Sequence, residues 1–170
     1  MHPADKFNEK LYNALGKLTV DYSRIEHLMQ VFANFLINPS QATIGMIVTS
    51  DMPFLALHKV LMSLYRKHEE NNKERIKSFY EFLNHIKRLA DQRNNLIHSA
   101  WYVGLNDQTF QKVNISAKFK KGLKIHKDIV RVSEIEALSQ ELFSAAMRLI
   151  KIYLLTQKEF YEKNSPKTKV

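Results

Sequence analysis

The sequence predicts a mainly helical protein, a four-helix bundle with a small β-hairpin or meander inserted before the last long helix. Apolar residues recur every three or four positions over long stretches, and only 4 Gly and 4 Pro are present to interrupt helices. Between residues 99 and 132 the apolar period changes to two, which is typical of strands. A three-layer α/β domain would need strands between all the helices, and the sequence indicates none before Ser99.

Four long helices are predicted at residues 4–37, 54–67, 73–95 and 133–158, and residues 41–48 are compatible with a short one. Asn38-Pro39-Ser40 ends the first helix, since proline cannot continue it. Ser133 and Glu136 have the spacing of a capping box, with Ser133 as the N-cap of the last helix. Its apolar face is predicted to include Leu149, Tyr153 and Leu155.

The β insertion covers about residues 99–132. Its apolar residues fall in three segments, at 100–103, 109–118 and 123–132, and Asn106-Asp107 is a turn signal between the first two. Neither an internal repeat nor an interdomain linker is evident, so residues 1–170 are predicted to form a single domain. Residues 164–170 are predicted to be a frayed tail.

The composition excludes several classes of site. Cysteine is absent, which removes disulfides, thiolate metal sites and cysteine nucleophiles. The sequence contains no H-E-x-x-H motif, no EF-hand loop and no glycine-rich phosphate loop, so neither a metal nor a cofactor is predicted. With no signal peptide pattern and no apolar run of membrane-spanning length, a cytoplasmic protein without membrane contact is expected.

The net charge of +9 favours a polyanionic partner, RNA first, although solubility alone also accounts for it. Between Phe110 and Arg131 the chain has seven cationic side chains and one acid, Asp128. On a hairpin these would form a basic ribbon able to follow a phosphate backbone. The members predicted to bind RNA are Lys112, Lys118, Lys120, Lys121 and Lys124. The alternative is a solvated strand edge that lysines protect from aggregation.

The residues most suggestive of function lie at the end of the third predicted long helix. Arg93 falls on the apolar stripe of Phe79, Phe82, Ile86 and Leu89, where a guanidinium costs several kcal/mol unless it is paired or lines a cleft. Asn94, Asn95 and His98 follow within little more than one turn. The alternative is that Arg93 and His98 are cations at the C-terminus of a helix, where they interact favourably with the helix dipole, and that Asn94 caps this end.

Arginine and histidine together can cleave RNA without a metal ion. The guanidinium holds the phosphate through two hydrogen bonds and stabilises charge in the transition state. The imidazole takes the proton of the ribose 2′-hydroxyl or gives one to the leaving oxygen, and the product is a 2′,3′-cyclic phosphate. Along one continuous helix Arg93 and His98 would not share a face. Either the helix ends near Asn95, or a second subunit completes the site.

A loose R-x4-6-H pattern is expected about once by chance in a chain of this composition. Requiring a gap of four and Asn directly after Arg lowers the expected number of chance occurrences to roughly 0.02. With Arg93-Asn94-x-x-x-His98 at the end of its third long helix, the chain resembles the HEPN superfamily of compact helical bundles. The resemblance implies a metal-independent endoribonuclease of a toxin–antitoxin or phage-defence system, dimeric, with both motifs facing one cleft. It implies catalytic roles for Arg93 and His98, an orienting role for Asn94, and an antitoxin or other regulatory protein as a further partner. The β insertion departs from the plainest members.

Two further residues are candidates for a supporting role. Glu26 is predicted to pair with Arg93 and orient it, against the alternative of a surface charge. Trp101, the only tryptophan, is a candidate for stacking a base, against the alternative of an anchor in a core or dimer interface. Two other functions stay open. They are a non-catalytic RNA-binding bundle, and a protein-interaction bundle that would show a large exposed apolar patch away from Arg93.

Overall fold

The computed structural model describes residues 3–103, 109–118 and 122–165. Within them the chain forms five helices and three strands, so the prediction of a mainly helical protein with a small sheet before the last helix is confirmed. The finer prediction, a HEPN-like bundle, stays a prediction. Asn106-Asp107 and residues 166–170 of the predicted tail lie outside the described residues.

The helices follow the predicted periodicity closely. They are α1 (Pro3–Ile37), α2 (Ala42–Thr49), α3 (Phe54–His68), α4 (Lys73–Ile97) and α5 (Val132–Asn164). The largest difference from the prediction is at the end of α5, which continues six residues past residue 158, so Asn164 of the predicted tail is helical. The other ends agree with the prediction within two residues. The helix α4 continues two residues past Asn95, and α5 begins at Val132, so Ser133 lies inside its first turn and is not the N-cap.

The three strands form one antiparallel sheet in the order β1-β2-β3. They are β1 (Ala100–Val103), β2 (Thr109–Lys118) and β3 (Gly122–Arg131). The register places Phe110 opposite Val130 and Lys112 opposite Asp128. Because side chains alternate along a strand, all four of these residues lie on one face of the sheet. Phe110 and Val130 are buried, so this face joins the core.

The chain divides into two compact units. Unit 1 comprises Met1–Ser23 and Ile86–Phe143, and unit 2 comprises Arg24–His85 and Ser144–Val170. The buried residues of unit 1 come from α1, α4, the sheet and α5, and they include Leu11, Leu18, Tyr22, Ile86, Leu89, Phe110, Ile135 and Leu142. The three helices α1, α4 and α5 therefore supply residues to both units.

The core of unit 2 is rich in aromatic rings. Phe32 of α1 lies 6.0 Å from Tyr65 and 5.8 Å from Phe79, in edge-on contacts, and Tyr65 stacks on Phe79 at 3.8 Å. Such pairs add to the burial of their apolar area. One predicted core residue, Leu155, is exposed, because the buried line of α5 continues from Leu149 to Thr156. Beside this core Arg75 bridges two carboxylates, Glu69 at 3.3 Å and Glu159 at 2.7 Å.

Candidate functional site

The helix that carries the predicted motif ends at Ile97, and its last backbone hydrogen bond is made by His98. The backbone N–H of His98 donates to the carbonyl of Asn94 at 3.0 Å, which is the helical i to i−4 bond. The helix thus ends two residues past Asn95, near the expected end, and His98 lies in the turn that follows it. The helix reaches Ile97 because the residues that follow His98 supply hydrogen bonds that cap its last turn.

These caps come from Ser99 and Trp101. The Ser99 hydroxyl donates to the Asn95 carbonyl at 2.5 Å, and the Trp101 indole N–H donates to the Leu96 carbonyl at 3.0 Å. The last carbonyls of a helix have no partner inside the helix, so these bonds stabilise its end. Trp101 is half-buried, and its one polar atom is used to hold α4. Base stacking by its ring stays a prediction.

Arg93 is half-buried on the inward stripe of α4, as its position in the sequence predicts. Its Nη1 donates to Oδ1 of Asn94 at 3.0 Å, and its Cζ lies 4.5 Å from the centroid of the Tyr22 ring. Its Nε is buried and has no hydrogen-bond partner among the described residues. No carboxylate of the described part of unit 1 forms an ion pair with it. Within the described part of unit 1, its positive charge is met by an amide oxygen and the face of a ring.

His98 lies in the turn directly after α4, with an exposed side chain. If the helical rotation of about 100° per residue is continued to His98, its position is about 140° around the helix axis from that of Arg93. No hydrogen bond joins them within the described residues. Asn94 lies between them, since it bonds to Arg93 and is only about 40° from His98. Among the described residues, a single chain thus joins Arg93 to Asn94 by a hydrogen bond, but it does not join Arg93 to His98.

Lys112 does not belong to an exposed ribbon. It is 7% exposed, and its Nζ donates to Oδ1 of Asn95 at 2.5 Å and pairs with Oδ2 of Asp128 at 3.0 Å. The strand alternation that buries Phe110 also turns Lys112 inward. The predicted RNA contact by Lys112 is therefore replaced by a structural role, because its ammonium ties the sheet to the last turn of α4.

The remaining cations of the insertion do not form one continuous ribbon in the described part of the sheet. Lys124, Lys127 and Arg131 are exposed on β3. Alternation places Lys124 on the face of Asp128, and it places Lys127 and Arg131 on the opposite face. Lys118 lies in β2 with no side chain described, and Lys120 and Lys121 lie outside the described residues. Glu26 is half-buried in unit 2, and its pairing with Arg93 stays a prediction.

A cavity of about 590 Å³ adjoins the end of α4 in unit 1. Its polar lining comprises Asp91, Gln92, Asn95, Lys112, Asp128 and Glu134. Three carboxylates against one ammonium make it unsuited to a phosphate, so it is not an RNA groove. Among the described residues, His, Asp and Glu side chains form no group of three or more able to hold a metal ion.

Sequence reasoning missed the contact of Tyr22 with Arg93 and the ion pair of Asp128, and it named Asn95 only as one of several polar residues near Arg93. Nothing in the sequence connected Tyr22, on α1, with Arg93. Asp128 carried a usable signal, since it is the only acid among the seven cations between Phe110 and Arg131. A lone carboxylate in such a segment favours a specific ion pair, and the hairpin register supplies Lys112 as its partner.

A scan against protein-family models found no match, and searches of the curated proteins and of the solved structures found no significant similarity. The resemblance to the HEPN superfamily therefore stays a prediction based on Arg93, Asn94 and His98. Within the described residues, no helix combines the length and the apolar character that crossing a membrane would require.

Proposed function

We propose that this protein is a metal-independent endoribonuclease whose site is completed by a second copy of the chain. The observation that carries the proposal is the state of Arg93. Within the described part of unit 1 this half-buried guanidinium has no carboxylate partner, which is costly, and a phosphate group would supply the missing negative charge.

The chemistry assigns separate roles to the two cationic residues. The Arg93 fork binds oxygens of the scissile phosphate and stabilises the charge that builds on them in the transition state. Asn94 fixes one arm of that fork through its bond to Nη1. The ribose 2′-hydroxyl attacks the adjacent phosphorus, and the bond to the 5′-oxygen breaks. His98, which solvent can reach, accepts the hydroxyl proton or protonates the leaving oxygen.

The divergence of Arg93 and His98 on one helix supports a site shared by two chains. In a twofold dimer the same surface of each chain faces the other, so Arg93 of one chain can meet His98 of its partner. Such a dimer would contain two equivalent composite sites. The toxin–antitoxin or phage-defence setting, with its regulatory partner, remains an implication of the HEPN resemblance.

The test is cleavage of mixed single-stranded and structured RNA in EDTA by the purified full-length chain. We expect Arg93→Ala and His98→Ala each to lower the rate at least about 100-fold, since each removes a group used in the transition state. The product ends should carry cyclic phosphate. Matched controls are Arg88→Ala, an exposed arginine of α4, and His126→Ala, an exposed histidine of β3. No cleavage by the wild type, or cleavage that survives both changes at the motif, would overturn the proposal.

A protein-interaction bundle is the second candidate, and a different region favours it. Several large apolar side chains of α2 are exposed, together with Leu55 at the start of α3. An exposed apolar patch of this kind is typical of a surface that contacts another protein. RNA binding without cleavage gains less support, because Lys112 is buried and the cations of β3 lie on two faces.

A further inference from the structure

A groove on the surface of unit 2 lies between one face of α4 and one face of α5. The volume of this α4–α5 groove is about 370 Å³, near the lower end of the roughly 300–1,000 Å³ that ligand pockets enclose. Within each helix the lining residues recur at helical spacing, so they share a face. They include Arg75 and Phe79 from α4, and Arg148, Lys151, Ile152 and Leu155 from α5.

The two ends of the groove differ in their contacts. At one end Cζ of Arg148 lies 4.5 Å from the centroid of the Phe82 ring. At the other end Arg75 pairs with Glu159 at 2.7 Å. Because the later residue of α4 meets the earlier residue of α5, the two helices run antiparallel here. Lys151, less than one turn from Arg148 along α5, therefore lies toward the Arg148 end.

Positive charge is concentrated at the Arg148 end. All the charged side chains among the described lining residues are cations, in contrast to the carboxylate-rich cavity at the end of α4. The charge of Arg75 is already met by Glu69 and Glu159. Arg148 and Lys151 are exposed and have no carboxylate partner within the described part of unit 2, and like charges three residues apart on a helix repel each other. Two uncompensated positive charges favour a ligand with two negative charges.

The wall and the floor beside these cations are apolar. Leu155 lies on the rim with 48% of its surface exposed, and Ile152 next to it is half-buried. The floor is the buried pair of Phe79 and Tyr65, whose rings stack at 3.8 Å. A ligand with an apolar body would cover Leu155 and remove its surface from water. The groove therefore suits an anion whose charged group adjoins an apolar or aromatic body.

We propose that the α4–α5 groove binds a small phosphate monoester with an apolar or aromatic body. A phosphate monoester carries nearly two negative charges at neutral pH, which match Arg148 and Lys151. The planar fork of Arg148 is able to hold two of its oxygens. A phosphate of an RNA backbone carries only one charge, so it fits this pair of cations less well. The proposal goes beyond the nuclease activity and does not depend on it, because binding is measured without RNA.

The first test is calorimetric titration of the full-length chain with phenyl phosphate, above the second pKa of the phosphate, which is about 6. Two matched compounds each remove one feature of this probe. Methyl phenyl phosphate keeps the ring but has one charge less, and methyl phosphate keeps both charges but lacks the ring. We expect each to bind at least about tenfold more weakly than phenyl phosphate.

Variants of α5 assign the binding to this groove. Arg148→Gln and Lys151→Gln should each weaken phenyl phosphate at least about tenfold, since each removes a charged donor. Leu155→Ser should weaken phenyl phosphate and leave methyl phosphate unchanged, because it alters only the apolar contact. The matched control is Lys158→Gln, at an exposed lysine of α5 outside the lining, which should change the affinity less than about twofold. Thermal melts check that the variants fold.

Adenosine 5′-monophosphate and hexyl phosphate then distinguish the sources of the ligand. Tighter binding of one or the other identifies the body as a nucleoside or as an alkyl chain. No binding of phenyl phosphate, or binding that survives both Arg148→Gln and Lys151→Gln, would overturn the proposal. Equal affinity for methyl phenyl phosphate would also overturn it, because the groove would then suit the single charge of a nucleic-acid backbone phosphate.

Discussion

Arg93 and Lys112 are two cations of unit 1 that are withdrawn from solvent, and their surroundings differ. Lys112 is buried, yet Asp128 and the amide of Asn95 together satisfy its ammonium group. Arg93 is half-buried, and in the part of unit 1 that the structure describes it contacts the Asn94 amide and the Tyr22 ring, while its Nε has no partner there.

The comparison distinguishes Lys112, a cation whose contacts stabilise the fold, from Arg93, a cation whose charge lowers the stability of the fold. When a charge inside a protein is paired, the attraction of its partner offsets part of the free energy of desolvation. When it is unpaired, that free energy is not offset. Proteins retain such costs mainly at functional sites. The two residues should therefore respond in opposite ways when each is replaced by methionine, which keeps most of the side-chain volume and removes the charge.

The largest effect on stability is expected at Lys112. Lys112→Met leaves the Asn95 oxygen without its donor and should lower the free energy of unfolding by about 1–3 kcal/mol. Arg93→Met removes an uncompensated charge and should change that free energy by less than about 0.5 kcal/mol, or raise it. Urea denaturation of both variants measures the difference. If Arg93→Met were the more damaging of the two, the distinction between these cations would be wrong.

A smaller effect is expected at Trp101, whose indole holds the end of the motif helix. Trp101→Phe keeps an aromatic ring but removes the donor to the Leu96 carbonyl, so stability should fall by about 1 kcal/mol. Tyr102→Phe, at an exposed neighbour on β1, should cost less than about 0.3 kcal/mol and serves as the control. Equal melting temperatures for the two variants would show that the indole bond contributes nothing.

Most of the fold was predictable because its elements follow simple periods. The line from Phe79 to Leu89 is buried, and Arg93 continues it, as the 3.6-residue period requires. The three segments of the β insertion alternate and form the expected sheet. The orientation of α2, whose exposed side is apolar, could not be predicted. It depends on the Gly45–Asn34 contact and the buried Thr49 hydroxyl, which exist only because α2 packs against α1.

The candidate site was predictable only in part. The inward position of Arg93 follows from the apolar stripe of its helix. Its different direction from His98 follows from the same helical rotation once the helix is known to reach Ile97. The burial of Lys112 depends on strand register, since a shift of one residue would turn it to the other face. The extension of α4 depends on caps from Ser99 and Trp101, which act through the fold of the chain after the helix.

The most direct test of the central claim is a mixing experiment with the two inactive variants. Arg93→Ala and His98→Ala chains are combined in equal amounts, exchanged by mild denaturation and refolding, and assayed for RNA cleavage in EDTA. If one site takes Arg93 from one chain and His98 from the other, each mixed dimer regains one intact site. Activity should then return to about a quarter of the wild-type level. Two active variants, or a mixture no more active than its parts, would contradict a site shared between two chains.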